Sequence, residues 1–211
     1  MTESSSDYGK AQRHLARRDE VLKNLIRLIG PCTLRHNPNR FTVLVNSIIS
    51  QQISTKAATA IRGRLERALA PQGITPLRLA RTPPARLREV GLSRQKASYL
   101  HDLADKVHRR ALPLDMLHEL ADEEVIAHLV DVKGIGRWTA QMFLIFSLGR
   151  LDVLPIDDFG FRVGVQKHYR LRKTPDRKRL TDLAEAWRPY RTVATWYFWR
   201  SLGNVPQSEK R

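Results

Sequence analysis

Two groups of residues between positions 129 and 164 could do chemistry together. Lys133-Gly134-Ile135-Gly136 sets two glycines, which tolerate positive φ and leave the backbone uncovered, directly before an apolar run from Trp138 to Leu148. A turn of that kind can aim bare N–H groups at an anion, since a helix N-terminus offers unpaired donors and a favourable dipole, and Lys133 and Arg137 add charge there. After Pro155 stand Asp157 and Asp158, two carboxylates in a chain with 37 Lys+Arg against 21 Asp+Glu. A phosphate grip followed by an acid points to an enzyme acting on nucleic acid. A plain loop between helices, with an aspartate as cap, fits the same spacing equally well. Upstream, the pair Gln51-Gln52 follows an apolar helical face. Either it lies on a solvated face, or its amides, which both donate and accept, enter a groove or the space left by a displaced base.

The composition narrows the partner. The 211 residues carry a formal charge of +16 and the sequence pI is near 10.7. An excess of that size and sign calls for a polyanion, of which nucleic acid is the commonest; an anionic membrane or an acidic protein would also answer. The sequence holds no run of 18 apolar residues and no signal-peptide pattern, so neither a membrane span nor export is expected. The single Cys32 excludes an intrachain disulfide, a four-cysteine iron–sulfur cluster and thiolate zinc sites. The seven histidines form no HExxH, and a reducing, cytoplasmic setting fits.

The elements that must position these residues are all helical, joined by short connections. Residues 1–9 are Ser-rich and read as a flexible tail. A helix from about Lys10 carries Leu15, Leu22, Leu25, Ile26 and Ile29 up to Gly30-Pro31. Phe41, Leu44, Val45, Ile48 and Ile49 mark the next, and Ser54 to Leu69 another. Pro84 to Gly91 is a short helix, Ser93 caps a longer one with Leu100, Leu103 and Val107 on one face, and Pro113 and Asp122 start two more. The helix from Trp138 is apolar nearly all round, so it should be the central buried one. Phe159 to Tyr169 and Asp176 to Trp187 follow. Pro189 then opens a last helix rich in aromatics, which are core residues or a stacking surface for a base.

With these segments in place the chain resembles the 3-methyladenine DNA glycosylase II family of the helix-hairpin-helix DNA glycosylase superfamily. The resemblance is carried by FTVLVNSIISQQIS, VGLSRQKASYLHDLA, VKGIGRWTAQMFLIF, DVLPIDDFGFRVG and WRPYRTVATWYFWR, in family order over residues 41–202. It implies an all-α, two-lobed fold with the active site in the cleft between lobes. Residues 41–148, including the hairpin at 129–148, would form one lobe, and 10–40 with 149–211 the other. The matching helix begins by Phe41, which leaves no room for the extra N-terminal β-domain of some relatives.

The activity implied is flipping of an alkylated purine, of the 3-methyladenine or 7-methylguanine type, out of double-stranded DNA and hydrolysis of its N-glycosidic bond, leaving an abasic site in base excision repair. Asp158 maps onto the catalytic aspartate, with Trp138, Met142 and Trp199 lining the pocket. Met142 stands where an aromatic is found in the better-known member, which bears on the breadth of damaged bases. Gln52 takes the wedge position with Gln51 beside it, and Lys133, Gly134, Ile135, Gly136, Arg137 and Thr139 face the DNA. Relatives that also cut the strand carry a lysine where Trp138 stands, twenty residues before Asp158, so no lyase activity is expected. No cofactor is required, although the hairpin of the family holds a structural Na+ or K+ on backbone carbonyls that correspond to Val130, Val132 and Ile135. A monomer working on the chromosome, in a nucleoid or a nucleus, follows from the same resemblance, with no membrane partner. A non-catalytic damage-sensing module and a glycosylase for deaminated bases are the other two readings.

Overall fold

The computed structural model describes residues 3–203, 205 and 206, and of residues 3–7 the backbone alone. Among the described residues there is no strand. Two compact units account for the chain, one of residues 37–143 and the other of 1–36 with 144–211.

The unit 37–143 is built from α3 (Arg40–Ser50), α4 (Thr55–Ala68), α5 (Pro76–Arg81), α6 (Pro84–Glu89), α7 (Arg94–His108), α8 (Asp122–Val130) and the first part of α9 (Arg137–Phe146). Side chains of short polar residues start most of these helices. Asn39 caps α3, Ser54 caps α4, Thr75 caps α5 and Ser93 caps α7, each accepting a backbone N–H of the first turn. The acidic first turn of α8 suits its dipole, and the Glu124 carboxylate accepts from the Ala121 N–H at 2.8 Å. Leu44, Ile48, Leu65, Leu79, Leu100, Leu103, Leu129 and Phe143 are almost wholly removed from water and form the core of the unit. The helix expected to start at Pro113 amounts to one 3-10 turn, Leu117–Glu119.

In the other unit, α1 (Glu3–Arg18) and α2 (Glu20–Ile29) pack with α10 (Phe159–His168), α11 (Arg177–Ala184) and α12 (Arg191–Ser201). The opening of the chain departs from expectation. It is helical from Glu3 and buries Tyr8, while Met1 and Thr2 lie outside the described residues. The single helix expected from Lys10 to Ile29 is broken at Asp19, whose Oδ1 accepts from Val21 N at 2.9 Å and Leu22 N at 3.0 Å and so starts α2. The other oxygen of Asp19 accepts from Trp187 Nε1 at 2.8 Å and from the Tyr169 hydroxyl, so one carboxylate joins three distant stretches of chain. Burial and that carboxylate push the Tyr169 phenol well above its ordinary value. The aromatics of α12 are core: Trp196, Tyr197, Phe198 and Trp199 are all buried. Where α10 meets α12, a Cβ on Gly164 would come within 2.9 Å of Phe198 Cβ and 3.0 Å of its carbonyl oxygen, so the close approach of these helices needs glycine there. Cys32 is buried, and desolvation pushes its thiol up to about 12, which leaves it protonated and inert at neutral pH.

Candidate active site

Asp158 is the last residue of the loop 147–158, which leads into α10. The loop is fastened to the start of α12. Asp152 accepts from Arg191 Nε at 2.8 Å and Arg188 Nη1 at 2.9 Å, while Thr192 Oγ1 donates to the Arg150 carbonyl at 2.8 Å and accepts from Val153 N at 2.9 Å. A loop tied at so many points delivers its last residue in one place. Asp158 is the N-cap of α10, with only 5% of its surface exposed. Its Oδ1 accepts two N–H donors, the Phe161 amide at 2.6 Å and the Trp199 indole at 2.8 Å. Two donors on one oxygen fix the rotamer of the carboxylate. Asp158 is thus a helix cap held by donors from two elements.

Asp157 is different in kind. It is exposed and pairs with Arg177 at 2.5 Å, a surface ion pair of little energetic consequence.

Trp199 is 1% exposed, its ring stacked on Phe146 with centroids 6.0 Å apart and planes 18° from parallel. The expected face for a base is therefore covered by protein in this structure, and the contact the indole makes with the site is its N–H to Asp158. Nothing in the spacing of the sequence signalled that bond, because the partners stand 41 residues apart. In the other unit, Met142 is fully buried and so offers no surface of its own, whereas Trp138, at the start of α9, is 40% exposed.

The glycine turn joins α8 to α9. Only one of its two glycines uses the positive φ that both would tolerate: Gly134 lies at φ +80°, and Gly136 is not among the residues with positive φ. A Cβ on Gly134 would fall 2.1 Å from Tyr99 Cδ2, while one on Gly136 would meet nothing within 4 Å. Glycine at 134 is thus demanded by the protein's own packing, and at 136 it leaves open space over the backbone at the start of a helix. The Lys133 amide donates to Asp102 Oδ2 at 2.9 Å, and its ammonium is largely exposed, 4.0 Å from Asp102 Oδ1. Arg137 forms a two-pronged pair with Glu123 at 2.9 and 2.5 Å, and this hydrogen bond holds the Glu123 carboxyl below its ordinary range. Thr139 is buried. Ile135 is buried; its amide donates to the Val132 carbonyl at 3.0 Å and closes the turn. The carbonyls of Val130, Val132 and Ile135 are hard oxygen donors of the type an alkali cation takes. Among the described residues no group of His, Cys, Asp and Glu could hold a metal ion.

The glutamine pair divides as sharply as the aspartates. Gln52 is exposed at φ +55° in the turn between α3 and α4. Gln51 turns inward and donates from Nε2 to the Gly134 carbonyl at 2.8 Å. Beneath them Lys96, whose pKa burial draws down, donates to the carbonyls of Ile49 and Gln51 at 2.7 and 2.6 Å.

A glycine turn feeding a helix N-terminus and a carboxylate held at the start of a later helix define an all-α protein of the helix-hairpin-helix base-excision class. The chain belongs to the HhH-GPD superfamily of base excision DNA repair proteins, whose family model matches residues 45–189. It is 35% identical over 202 residues to DNA-3-methyladenine glycosylase 1 of Schizosaccharomyces pombe, covering 91% of this chain and 86% of that one. It is 30% identical over 200 residues to an alkylbase DNA glycosidase-like protein of the same organism, covering 92% and 94%. Among solved structures it resembles a DNA-3-methyladenine glycosidase from Bacillus halodurans, with a TM-score of 0.84, 38% identity and 94% and 91% of the two chains covered. It also resembles a 3-methyladenine DNA glycosylase of Schizosaccharomyces pombe in complex with abasic DNA, with a TM-score of 0.79, 34% identity and 95% and 100% covered.

Proposed function

We propose that this chain is a monofunctional DNA glycosylase that removes alkylated purines from double-stranded DNA as a monomer. The observation that carries the reading is the Asp158 carboxylate, buried at a helix N-terminus with two N–H donors on one oxygen. Breaking the bond between C1′ and the purine nitrogen sends the electron pair to the base and leaves an oxocarbenium-like sugar. A fixed anion stabilises that charge. Water then bonds to C1′ and gives up its proton, which the same carboxylate can accept. An alkylated purine already carries positive charge and leaves as a neutral base, so a strong general acid is not needed. The side chain at the position where strand-cutting relatives carry a lysine is Trp138, which cannot form a Schiff base.

The remaining residues supply grip. The turn at Gly134 and Gly136 would face the DNA backbone, with Lys133 and Arg137 beside it. The Arg137–Glu123 pair is exposed, so exchanging the carboxylate for a phosphate costs little. Gln52 would fill the vacated stack. A sodium or potassium ion on the carbonyls of Val130, Val132 and Ile135 would add positive charge at the same turn. No described helix is long and apolar enough to cross a membrane, and the chromosome is where such an enzyme would work.

The test is base release from oligonucleotides carrying 3-methyladenine, 7-methylguanine and deaminated purines. Release of the alkylated bases is expected, with no covalent adduct trapped by borohydride. Asp158→Asn should abolish release while leaving the fold and DNA binding in place, because asparagine is an equally good N-cap. An adduct would overturn the monofunctional assignment, and full activity in the variant would overturn the role of Asp158.

A further inference from the structure

One face of α7 carries Lys96, Tyr99 and Asp102 at three-residue spacing, and each touches one of the two turns that would meet DNA. Lys96 holds the end of α3 through the carbonyls of Ile49 and Gln51. The ring of Tyr99 lies against Gly134, and Asp102 accepts the amide of Lys133. The turn containing Gln52 holds itself poorly. Its own backbone bonds, Gln51 N to the Ile48 carbonyl at 3.4 Å and Ile53 N to the Ser50 carbonyl at 3.5 Å, lie at the long limit for a hydrogen bond. Gln52 also adopts φ +55°, a conformation that costs an unbranched L-residue energy and persists only where its surroundings enforce it. The short contacts that enforce it come from Lys96 and from the Gln51 side chain, whose amide reaches across to Gly134.

We propose that Gln51 is a positioning residue that ties the Gln52 turn to the glycine hairpin across α7, so that wedge and phosphate grip engage the duplex as one rigid piece. The proposal rests on the glycosylase reading and assigns Gln51 inward, to the protein, instead of to DNA. Its consequence is selective. A lesion that must be drawn from a stacked, paired duplex depends on the link, and one already unpaired does not.

The experiment compares single-turnover release of 7-methylguanine from duplex and from single-stranded oligonucleotide by Gln51→Ala, Gln52→Ala and the double variant. Loss of one hydrogen bond should slow duplex release by Gln51→Ala about five- to tenfold, leave single-strand release within about twofold of the parent, and add nothing once Gln52 is already alanine. Lys96→Met, which keeps the side-chain stem and removes the donor, should show the same duplex-only defect. Equal losses on both substrates, or additive losses in the double variant, would overturn the proposal. If the parent protein releases no base from either substrate, the glycosylase reading fails, and the link is still read by the fluorescence of 2-aminopurine placed beside an abasic analogue. Gln51→Ala should then blunt the unstacking signal, again with no further loss in the double variant, and an unchanged signal would refute the link.

Discussion

At the level of single residues, the site divides pairs that look alike in sequence. Asp157 and Asp158 are neighbours, yet one is an exposed partner of Arg177 and the other a buried cap with two donors on one oxygen. Trp199 illustrates what spacing hides. Its position fits a base-stacking aromatic, but its ring is enclosed against Phe146 and its N–H is spent on Asp158. Trp199→Phe preserves most of the packing and removes the donor. A hydrogen bond to a charged group contributes about 1.5–3 kcal/mol, so kcat should fall roughly 10- to 150-fold with little change in KM. A rise in KM at constant kcat, measured by steady-state base release, would instead mark Trp199 as a substrate contact. The pair of acids after a proline is conspicuous in so basic a chain, but the choice of Asp158 within it was legible only through the family resemblance. Its Trp199 donor was not, because a contact across 41 residues leaves no periodic trace.

Among the elements, apolar periodicity and cap chemistry located most helices, since those signals are local. Ser93 starts α7 and Asp176 starts α11 as their side chains allow. What failed was set by tertiary contacts. The Ser-rich start lacks a periodic apolar face but is helical from Glu3, and Asp19, which caps α2 locally, also takes partners at Tyr169 and Trp187 that no local window contains. The two glycines of the hairpin look alike in sequence, and the structure separates them. Gly134→Ala forces a left-handed alanine into the Tyr99 ring and should cost several kcal/mol, lowering the thermal midpoint by well over 5 °C for a chain of this size. Gly136→Ala meets no atom and should leave the midpoint almost unchanged. If the DNA backbone lies against this turn, that same variant should weaken binding to abasic DNA about tenfold or more. Unchanged affinity in a titration would place the DNA elsewhere.

For the molecule as a whole, the charge of +16 was the plainest statement in the sequence. It belongs to association, not to folding. If 6–10 phosphates are neutralised, affinity for undamaged duplex should drop by about 10³–10⁵ between 50 and 200 mM salt, and a fluorescence-anisotropy titration series would measure the slope. A shallow slope would mean that the basic surface serves another partner.

The division of the chain also sets an order in time. The unit that carries the glycine hairpin is one unbroken stretch, 37–143, whereas the unit that carries Asp158 is assembled from both sides of it. On a ribosome the first can close as soon as its own residues have emerged. The second must wait, because the Asp19 carboxylate has no Tyr169 or Trp187 to meet until those residues are made. Pulse-labelled hydrogen exchange during refolding should accordingly protect amides in 37–143 before those of α1 and α2, and simultaneous protection would contradict it. On the proposed reading, a nascent or truncated product would hold the turns assigned to DNA before it holds the carboxylate assigned to base release.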